Sequence, residues 1–349
     1  MDFKKIFEPY VVLARTVISK ASARPPVIGI DIGTSAVKAA AITSTATGLE
    51  LSAWAVEPID GDVKSALAKL LARLKLSSYT PVTSVSGKGT LIRYIDMPRM
   101  PLEDLRKSFV YELDKYFPFD PQSIYTDCFI LDHNPKEKKM PVLVAAVKKD
   151  IIDERLKLFK DVGVDLGHIT IHSIATANAF ERLGPALTDS VQAKAILDIG
   201  GSVSTLLIIK DYSPRFTRDI FIGSQEMTRQ IANLLGVDHI RADQLKFNPG
   251  ERSGEVTEAC ASVLNHLVSE VRLSLDYFMT EKNIQIDEFF LMGGGALLNG
   301  IEGLFEKSLG MPVKAWDPLT RLRAGQEAAR LPASSPQLGV AVGLGLANV

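Results

Sequence analysis

Short apolar runs separated by small polar turns dominate the chain after Pro26. Three runs have the β-branched or alternating composition of strands; they are Val27–Ile32, Ala36–Ile42 and Leu49–Val56. Because a strand, and not a helix, follows the first run, we expect an antiparallel meander here and not a β-α-β unit. A helix is predicted after the meander, at about Val63–Leu74.

A second meander is predicted further along the chain, after a helix at Ile174–Leu183. Its strands are Ala195–Ile199, Val203–Lys210 and Phe216–Ile222. Helical segments then dominate Ser224–Glu281, with a loop at about Phe247–Gly254. The last predicted elements are a buried strand at Glu288–Met292, a helix at about Leu298–Leu309, a strand at Val313–Ala315 and a small-residue helix at Gln337–Leu346.

The region between the meanders, from about Thr83 to Thr170, has the pattern of an inserted α/β unit. Its predicted strands are Val82–Ser86, Leu91–Met97, Thr126–Leu131 and Val142–Val147, and its helices are Leu102–Phe117 and Ile151–Val162. The apolar stripes of both helices are expected to form the core of the unit. A peptide-binding groove is the alternative use of these stripes.

Composition is that of a soluble globular protein that forms at least two cores, with 349 residues and a formal net charge of −1. This charge provides no field that attracts nucleic acid. Cys128 and Cys260 are far apart and outside any ligand spacing, which favours reduced thiols and argues against zinc. No apolar run is long enough to span a bilayer, so we expect a cytoplasmic protein. Residues 1–26 have an amphipathic pattern, which indicates a docked helix or, alternatively, an interfacial membrane anchor.

A glycine-rich turn follows the first strand. Consecutive backbone N–H groups at Gly33, Thr34 and Ser35 would be free to bind phosphate oxygens, and Lys38 would add positive charge. Asp31, at the end of the strand, repels phosphate but would hold Mg²⁺ through ordered water. Taken alone, this loop is equally consistent with a hairpin that needs glycine.

The second meander repeats this loop. Its acid is Asp198, and its turn residues are Gly200, Gly201 and Ser202. A repeated acid is not required by a hairpin, so the pair of loops predicts a clamp on one polyphosphate and its metal. A third glycine run, Gly293-Gly294-Gly295, follows a predicted strand and would let a flat ring and a ribose lie against the backbone.

The order of these loops resembles the actin-type ATPase superfamily and, within it, the PilM branch of cytosolic actin-like proteins in type IV pilus assembly. The resemblance covers about residues 27–349. Further segments that carry it are Met97-Pro98, Ala242–Lys246, Ser269–Leu275 and Met292–Leu298.

The resemblance implies an α/β fold of the actin-like (ribonuclease H-like) type, with two duplicated lobes and an FtsA/PilM-type inserted subdomain. It implies a first lobe at 27–82 with 171–190 and 336–349, and an inserted peptide-binding subdomain at 83–170. The second lobe would occupy 191–335, with a helical subdomain at about 224–285, and 1–26 would be an N-terminal helix and linker.

By the same resemblance, the clamp binds ATP with Mg²⁺. Gly33, Thr34, Ser35, Gly200, Gly201 and Ser202 would hold the phosphates, and Asp31 and Asp198 would organise the metal. Gly294 and Gly295 would border the adenosine, and Lys246 would approach the base. Asp243 would approach the ribose; the family usually has Glu at this position.

The family tends to carry acids in the segment that links the lobes, whereas this chain has Thr170-Ile171-His172-Ser173. A carboxylate there would orient or deprotonate the attacking water. We therefore expect a weak ATPase at most, with slow or absent hydrolysis. His172 is a candidate for positioning water, and a structural role at the lobe interface is its alternative.

The resemblance thus predicts an ATP-binding scaffold of type IV pilus assembly, or of a related envelope machine. It would bind the cytosolic N-terminal peptide of a PilN-like inner-membrane protein beside Leu102–Phe117 and Leu91–Met97. The protein would then lie on the inner face of the inner membrane, through this partner or through residues 1–26, and could self-associate. Two alternatives are an FtsA-like filament-forming protein and a small-molecule kinase of the same superfamily.

Overall fold

The computed structural model describes residues 26–74, 79–131, 138–185, 192–325 and 336–347. The amphipathic pattern of residues 1–25 lies outside the described residues. None of the described helices combines the length and the apolar composition that crossing a membrane requires.

The described strands and helices follow each other in the order that the hydrophobic pattern predicts, with a few differences. The strands are β1 (Val27–Ile32), β2 (Ala36–Thr45), β3 (Gly48–Pro58), β4 (Thr80–Val85), β5 (Thr90–Pro98), β6 (Ile124–Ile130), β7 (Lys139–Lys148), β8 (His168–Ile171), β9 (Ala193–Ile199), β10 (Ser204–Lys210), β11 (Ser213–Ile220), β12 (Ile286–Met292), β13 (Val313–Ala315) and β14 (Arg323–Ala324). The helices are α1 (Val63–Ala72), α2 (Leu102–Phe109), α3 (Leu113–Tyr116), α4 (Lys149–Lys160), α5 (His172–Leu183), α6 (Ser224–Leu235), α7 (His239–Phe247), α8 (Ser253–Lys282), α9 (Ile301–Leu309) and α10 (Gly339–Gly345).

Two sheets with the same topology form the two lobes. The first has the order β14-β3-β2-β1-β4-β8, and the second has the order β11-β10-β9-β12-β13. In each, the first strand pairs antiparallel with the strand that follows it in the chain and parallel with a strand from much later. The expected duplicated α/β architecture is therefore confirmed.

Helices α5 and α10 lie between the two sheets and join the lobes. Their small and apolar side chains share one core with β1, β2, β9 and β12. A Cβ at Gly343 of α10 would overlap the backbone carbonyl of Ala175 in α5, and one at Gly29 of β1 would overlap the carbonyl of Ala341. Glycine is needed at both positions because the backbones approach each other so closely.

The inserted subdomain, residues 90–148, has its own three-stranded sheet of order β5-β7-β6. One face of β7 packs with α2 and α3 around Leu105 and Phe109. The other face packs with α4 in the core of the first lobe. The region predicted as inserted, 83–170, is wider than this sheet, because β4 and β8 are strands of the first sheet and α4 buries Ile152 and Phe159 against it.

Four local predictions differ from the structure. The predicted helix Leu102–Phe117 is broken by a 3₁₀ turn at Val110–Glu112, and the loop after Phe247 contains a 3₁₀ turn at Gly250–Arg252. The helix predicted from Leu298 begins at Ile301, because Gly300 adopts a positive φ of 76° that a helix cannot contain. Strand β8 was not predicted, since four residues are too few to display a period.

Candidate functional site

The two glycine loops have the same hydrogen-bonding geometry. The N–H of Gly33 donates to the carbonyl of Ala36 over 3.1 Å, and the N–H of Gly200 donates to the carbonyl of Val203, also over 3.1 Å. Each loop is thus a tight turn between antiparallel strands, as the meander pattern predicts. The duplicated topology places the two turns at facing ends of the two sheets.

The loops touch each other across the gap between the lobes. A hydrogen bond of 2.8 Å joins Thr34 Oγ1 and Ser202 Oγ. A Cβ at Gly201 would lie 2.8 Å from Ser35 Oγ and 3.0 Å from Thr34 Cβ, so a larger residue would separate the loops. At Gly33 a Cβ would lie 3.0 Å from Lys38 Nζ. Glycine at these positions therefore keeps the space between the loops open to a ligand.

Asp31 and Lys38 face each other on neighbouring strands. They are opposite in the β1–β2 register, and Lys38 Nζ donates to Asp31 Oδ2 over 3.0 Å. Burial raises the pKa of Asp31, but the positive charges of Lys38 and His172 outweigh it and hold the pKa below its ordinary value. Arg155 of α4, which the sequence analysis did not identify, also lowers it. Asp31 is therefore a buried carboxylate that stays ionised.

His172 and Asp198 form the second charged pair of the site. Strand β8 ends at Ile171, so His172 opens α5, and its Nε2 lies 2.6 Å from Asp198 Oδ2. Burial lowers the pKa of His172, but the hydrogen bond and the charge of Asp198 raise it by more, so the pKa lies above its ordinary value. The raised pKa favours the protonated form of the imidazole, which is a poor acceptor for a proton from water.

A cavity of about 520 Å³ lies between the lobes and collects the predicted site residues. They line it in this order along the chain: Asp31, Gly33, Thr34, Ser35, Lys38, His172, Asp198, Gly200, Gly201, Ser202, Asp243, Lys246 and Gly294. Gly295 is the exception. It is buried behind the wall, where a Cβ would overlap the side chain of Ile199, so its glycine serves packing.

Asp243 and Lys246 lie on α7 as an ion pair. Lys246 Nζ donates to Asp243 Oδ1 over 2.6 Å and to Thr228 Oγ1 over 2.8 Å, and it lies 3.4 Å from the carbonyl of Ser224. Lys246 is only 3% exposed, whereas the side chain of Asp243 is 52% exposed. The ammonium thus has its partners within the protein and orients Asp243, whose other oxygen remains available to a sugar hydroxyl.

The triple glycine forms the far wall of the cavity. Gly293 has a φ of 85°, and a Cβ there would overlap Asp198 Oδ1. At Gly294 a Cβ would meet no atom within 4 Å, so the backbone faces open space. Phe247 and Leu297, which also line the cavity, add apolar surface that the sequence analysis missed. Phe247 directly follows Lys246, and Leu297 lies two positions after Gly295. These positions near predicted site residues could have identified them.

The residues present fit a nucleotide with its phosphates near the two glycine loops. The expectation that the Gly33 N–H is free is wrong, because the N–H groups of Gly33 and Gly200 are both bonded within their turns. Donors for phosphate oxygens would come from the following residues of each turn and from Lys38, and the apolar wall near Gly294 is suited to a flat base. Within the described ranges, no group of three or more acidic, histidine or cysteine side chains could hold a metal ion. A metal at this site would therefore take its ligands from phosphates and water, beside Asp31 and Asp198.

Comparisons with known proteins identify the family of this chain and proteins that share its fold. A family model described as "Type IV pilus assembly protein PilM" matches residues 29–349. Among curated proteins, the cell division protein FtsA of Streptococcus pneumoniae serotype 2 (strain D39) is 22% identical over 332 residues, with 84% of this chain covered. The chain spans 66% of the length of that relative, which is just under two thirds.

Solved structures share the fold. The PilM-PilN type IV pilus biogenesis complex superposes with a TM-score of 0.78 at 24% identity, covering 92% of this chain and 98% of the other. The ethanolamine utilization protein EutJ of Carboxydothermus hydrogenoformans gives 0.54 at 15% identity, with coverages of 94% and 91%. MreB5 of Spiroplasma citri bound to ADP gives 0.50 at 14% identity, with coverages of 92% and 95%.

Proposed function

Because this chain belongs to the family of the type IV pilus assembly protein PilM, we propose that it is an ATP-binding scaffold of pilus assembly. In this proposal ATP acts as a bound ligand that stabilises one arrangement of the lobes, and it is hydrolysed slowly or not at all. The single observation that carries the proposal is the closure of the two glycine loops, with Thr34 and Ser202 in contact above a cavity of about 520 Å³.

ATP binding is supported by the donors and the shape of this cavity. The turns at Gly33–Ser35 and Gly200–Ser202 would hold the phosphates together with Lys38, and Asp243 would accept a hydrogen bond from the ribose. Mg²⁺ would enter with the phosphates, and Asp31 and Asp198 would hold its water ligands. The bound ion supplies positive charge that neutralises the phosphates.

Slow hydrolysis is supported by the surroundings of His172. A general base must lie within hydrogen-bonding reach of the attacking water and must be able to accept its proton. His172 has a raised pKa and is already paired with Asp198, and the adjacent Thr170, Ile171 and Ser173 carry no carboxylate. The pair therefore holds the two lobes together more readily than it activates water.

Partner binding is supported by a second cleft, of about 400 Å³, beside the inserted subdomain. Leu91, Ile92 and Arg93 of the predicted strand line it together with Phe119 and Phe221, whereas no residue of Leu102–Phe117 does. Two buried hydroxyls in its wall, Thr90 Oγ1 and Ser173 Oγ, have no hydrogen-bond partner among the described residues. Both oxygens lie just below the cleft surface, and a small opening of the wall would let a peptide backbone bond to them.

The occupant of this cleft is, in our proposal, the cytosolic N-terminal peptide of a PilN-like membrane protein. The solved neighbour of highest TM-score quoted above is a complex of PilM with PilN. Binding of such a peptide would keep this protein at the inner face of the inner membrane through its partner.

The test combines two titrations on the purified protein. ATP affinity and phosphate release would be measured with and without Mg²⁺, and the Asp31→Ala variant would be compared. We expect micromolar or tighter binding that weakens in the variant; absence of ATP binding would contradict the proposal.

Synthetic N-terminal peptides of candidate partners would be titrated with scrambled peptides as controls. Thr90→Val, which is isosteric, should weaken peptide binding by about 5- to 10-fold without loss of stability.

A second candidate function, a filament-forming protein of the FtsA type, is favoured by the 22% identity to FtsA. It predicts ATP-dependent sedimentation of the purified protein, and a scaffold that stays monomeric predicts none. Sedimentation with and without ATP, and with and without anionic liposomes, distinguishes the two.

A further inference from the structure

A row of three polar residues crosses the sheet of the second lobe from the nucleotide cavity to its edge. In the strand register, Thr205 of β10 lies opposite Asp198 of β9 on one side and opposite Asp219 of β11 on the other. Thr205 Oγ1 donates to Asp219 Oδ1 over 2.8 Å. Asp219 is therefore positioned by the same strand that follows the Gly200–Ser202 turn.

The second oxygen of Asp219 binds a different part of the molecule. Asp219 Oδ2 accepts a hydrogen bond of 2.9 Å from the N–H of Gly87. Gly87 belongs to the connection 86–89, which leads from β4 of the first lobe into β5 of the inserted subdomain. Gly87 and Gly89 have φ values of 84° and 91°, a conformation that suits glycine and gives the connection its sharp turns.

One face of β11 carries further contacts to the inserted subdomain and its connection. Tyr94 Oη and Thr217 Oγ1 are 2.8 Å apart, and Lys88 Nζ lies 5.7 Å from the centre of the Phe221 ring. Thr217 and Asp219 are spaced two residues apart, which is the period of one strand face, and Phe221 directly follows the end of the strand. Of these contacts, Asp219 is the one that also reaches toward the nucleotide cavity through Thr205.

We propose that Asp219 is a positioning residue that couples the nucleotide cavity to the inserted subdomain. This inference rests on the proposed binding of ATP, because the nucleotide is what would move the Gly200–Ser202 turn. The two carboxylate oxygens are bound to two different bodies. A shift of β10 relative to the first lobe must therefore either carry Gly87 with it or break the Gly87 hydrogen bond.

The same connection lines the cleft of about 400 Å³ in which we place the partner peptide. A change at Gly87 would alter the width of this cleft, so ATP and peptide would affect each other's binding. Allosteric couplings of this kind commonly change an affinity by about 5- to 150-fold. Asp219 itself lines this cleft, so its effect on the connection is measured in the absence of peptide.

Hydrogen–deuterium exchange of the full chain tests the proposal without any partner. Exchange of the amides in 86–98 would be followed with and without saturating Mg-ATP, in the wild type and in Asp219→Asn. The substitution is isosteric; its amide can accept from Gly87 only by turning its nitrogen to Thr205 Oγ1, and both bonds then lose the charge of the carboxylate that strengthens them. Thr205→Val, which removes the hydroxyl that positions Asp219, is the second variant. Asp211→Asn, at the far end of the same hairpin and with a φ of 52° that asparagine tolerates, is the matched control.

In the wild type and in Asp211→Asn we expect Mg-ATP to change exchange in 86–98 by at least about 5-fold. In Asp219→Asn and Thr205→Val the change should fall below about 2-fold, while ATP affinity and protection of the two glycine loops stay near wild type. If 86–98 responds equally in the variants, or does not respond in the wild type although ATP binds, the coupling is refuted and the proposed function stands. If ATP fails to bind the wild type, both are refuted.

Discussion

Thr34 Oγ1 and Ser202 Oγ are hydrogen-bonded over 2.8 Å, although 168 positions separate them in the chain. Each hydroxyl lies in the turn of one lobe, so the contact brings the two halves of the duplicated fold together at one point. The loops approach most closely beside Gly201, where the backbone of one turn meets the side chains of the other.

Substitution of Gly201 should therefore weaken ATP binding. In Gly201→Ala the new Cβ would lie 2.8 Å from Ser35 Oγ, and the turns must separate to relieve the contact. We expect the affinity for Mg-ATP to fall by about 10-fold or more, because the groups of the two turns would no longer lie where they fit the phosphates. Calorimetric titration with Mg-ATP measures it. Gly254→Ala, in a helix where a Cβ meets no atom within 4 Å, should leave the affinity unchanged.

Removal of the Lys38 charge should destabilise the protein even without nucleotide. Lys38→Met leaves the Asp31 carboxylate buried and without its partner, at an expected cost of about 1–3 kcal/mol in the free energy of unfolding. The matched variant Lys64→Met removes a more exposed ion pair, to Asp161 over 3.7 Å, and should cost less than Lys38→Met. Urea denaturation of both variants gives the comparison. Equal costs would show that burial of the Asp31–Lys38 pair has no energetic consequence.

Replacement of His172 should leave ATP turnover unchanged. His172→Gln keeps a donor for Asp198 but removes the imidazole, and loss of a general base commonly slows a reaction by about 100- to 10,000-fold. Because the pairing with Asp198 occupies His172 and raises its pKa, we expect phosphate release to change by less than about 2-fold. Sensitive single-turnover assays on both proteins measure it. A 100-fold decrease relative to a detectable wild-type rate would make His172 a catalytic residue.

Stability should fall in acid because of His168. Burial lowers the pKa of this side chain from 6.5 to about 4, so between these values the unfolded chain binds a proton that the folded protein does not. The contribution of His168 to stability is complete above pH 6.5 and is lost as the pH falls toward 4. His168→Gln should therefore show a smaller loss of unfolding free energy between pH 7 and pH 5. His266→Gln, at an exposed side chain, controls for the general effect of acid.

The repeated turns and the two antiparallel meanders were predictable because they depend on local rules, whereas the duplicated lobes were expected only from the family resemblance. A strand, an acid and a glycine turn recur at Asp31 and Asp198, and period-two alternation marks the strands around them. The packing of α4 was not predictable in this way. Its apolar face at Ile152 and Phe159 fits the core of the first lobe as well as that of the inserted subdomain, and only the three-dimensional arrangement decides between them.

Long-range polar contacts were also beyond the sequence. His172 could be identified as a candidate residue, but its pairing with Asp198 depends on the exact end of β8, which is too short to show a period. The bond between Gly87 and Asp219 joins two residues outside any motif, 132 positions apart. Arg155 occupies a core-facing helix position, where a period of apolar residues would have predicted an aliphatic side chain.

The contact between Gly343 and Ala175 restricts the motions that are open to this molecule. Helix α10 is fixed to the first sheet at Gly29, and α5 meets α10 backbone to backbone, so the helices have no side-chain layer on which to slide. Relative movement of the lobes is then a rotation about this crossing. We expect the angle between the lobes to vary while the distance at the crossing stays constant. A small rotation then produces its largest displacement at the outer ends of the two sheets.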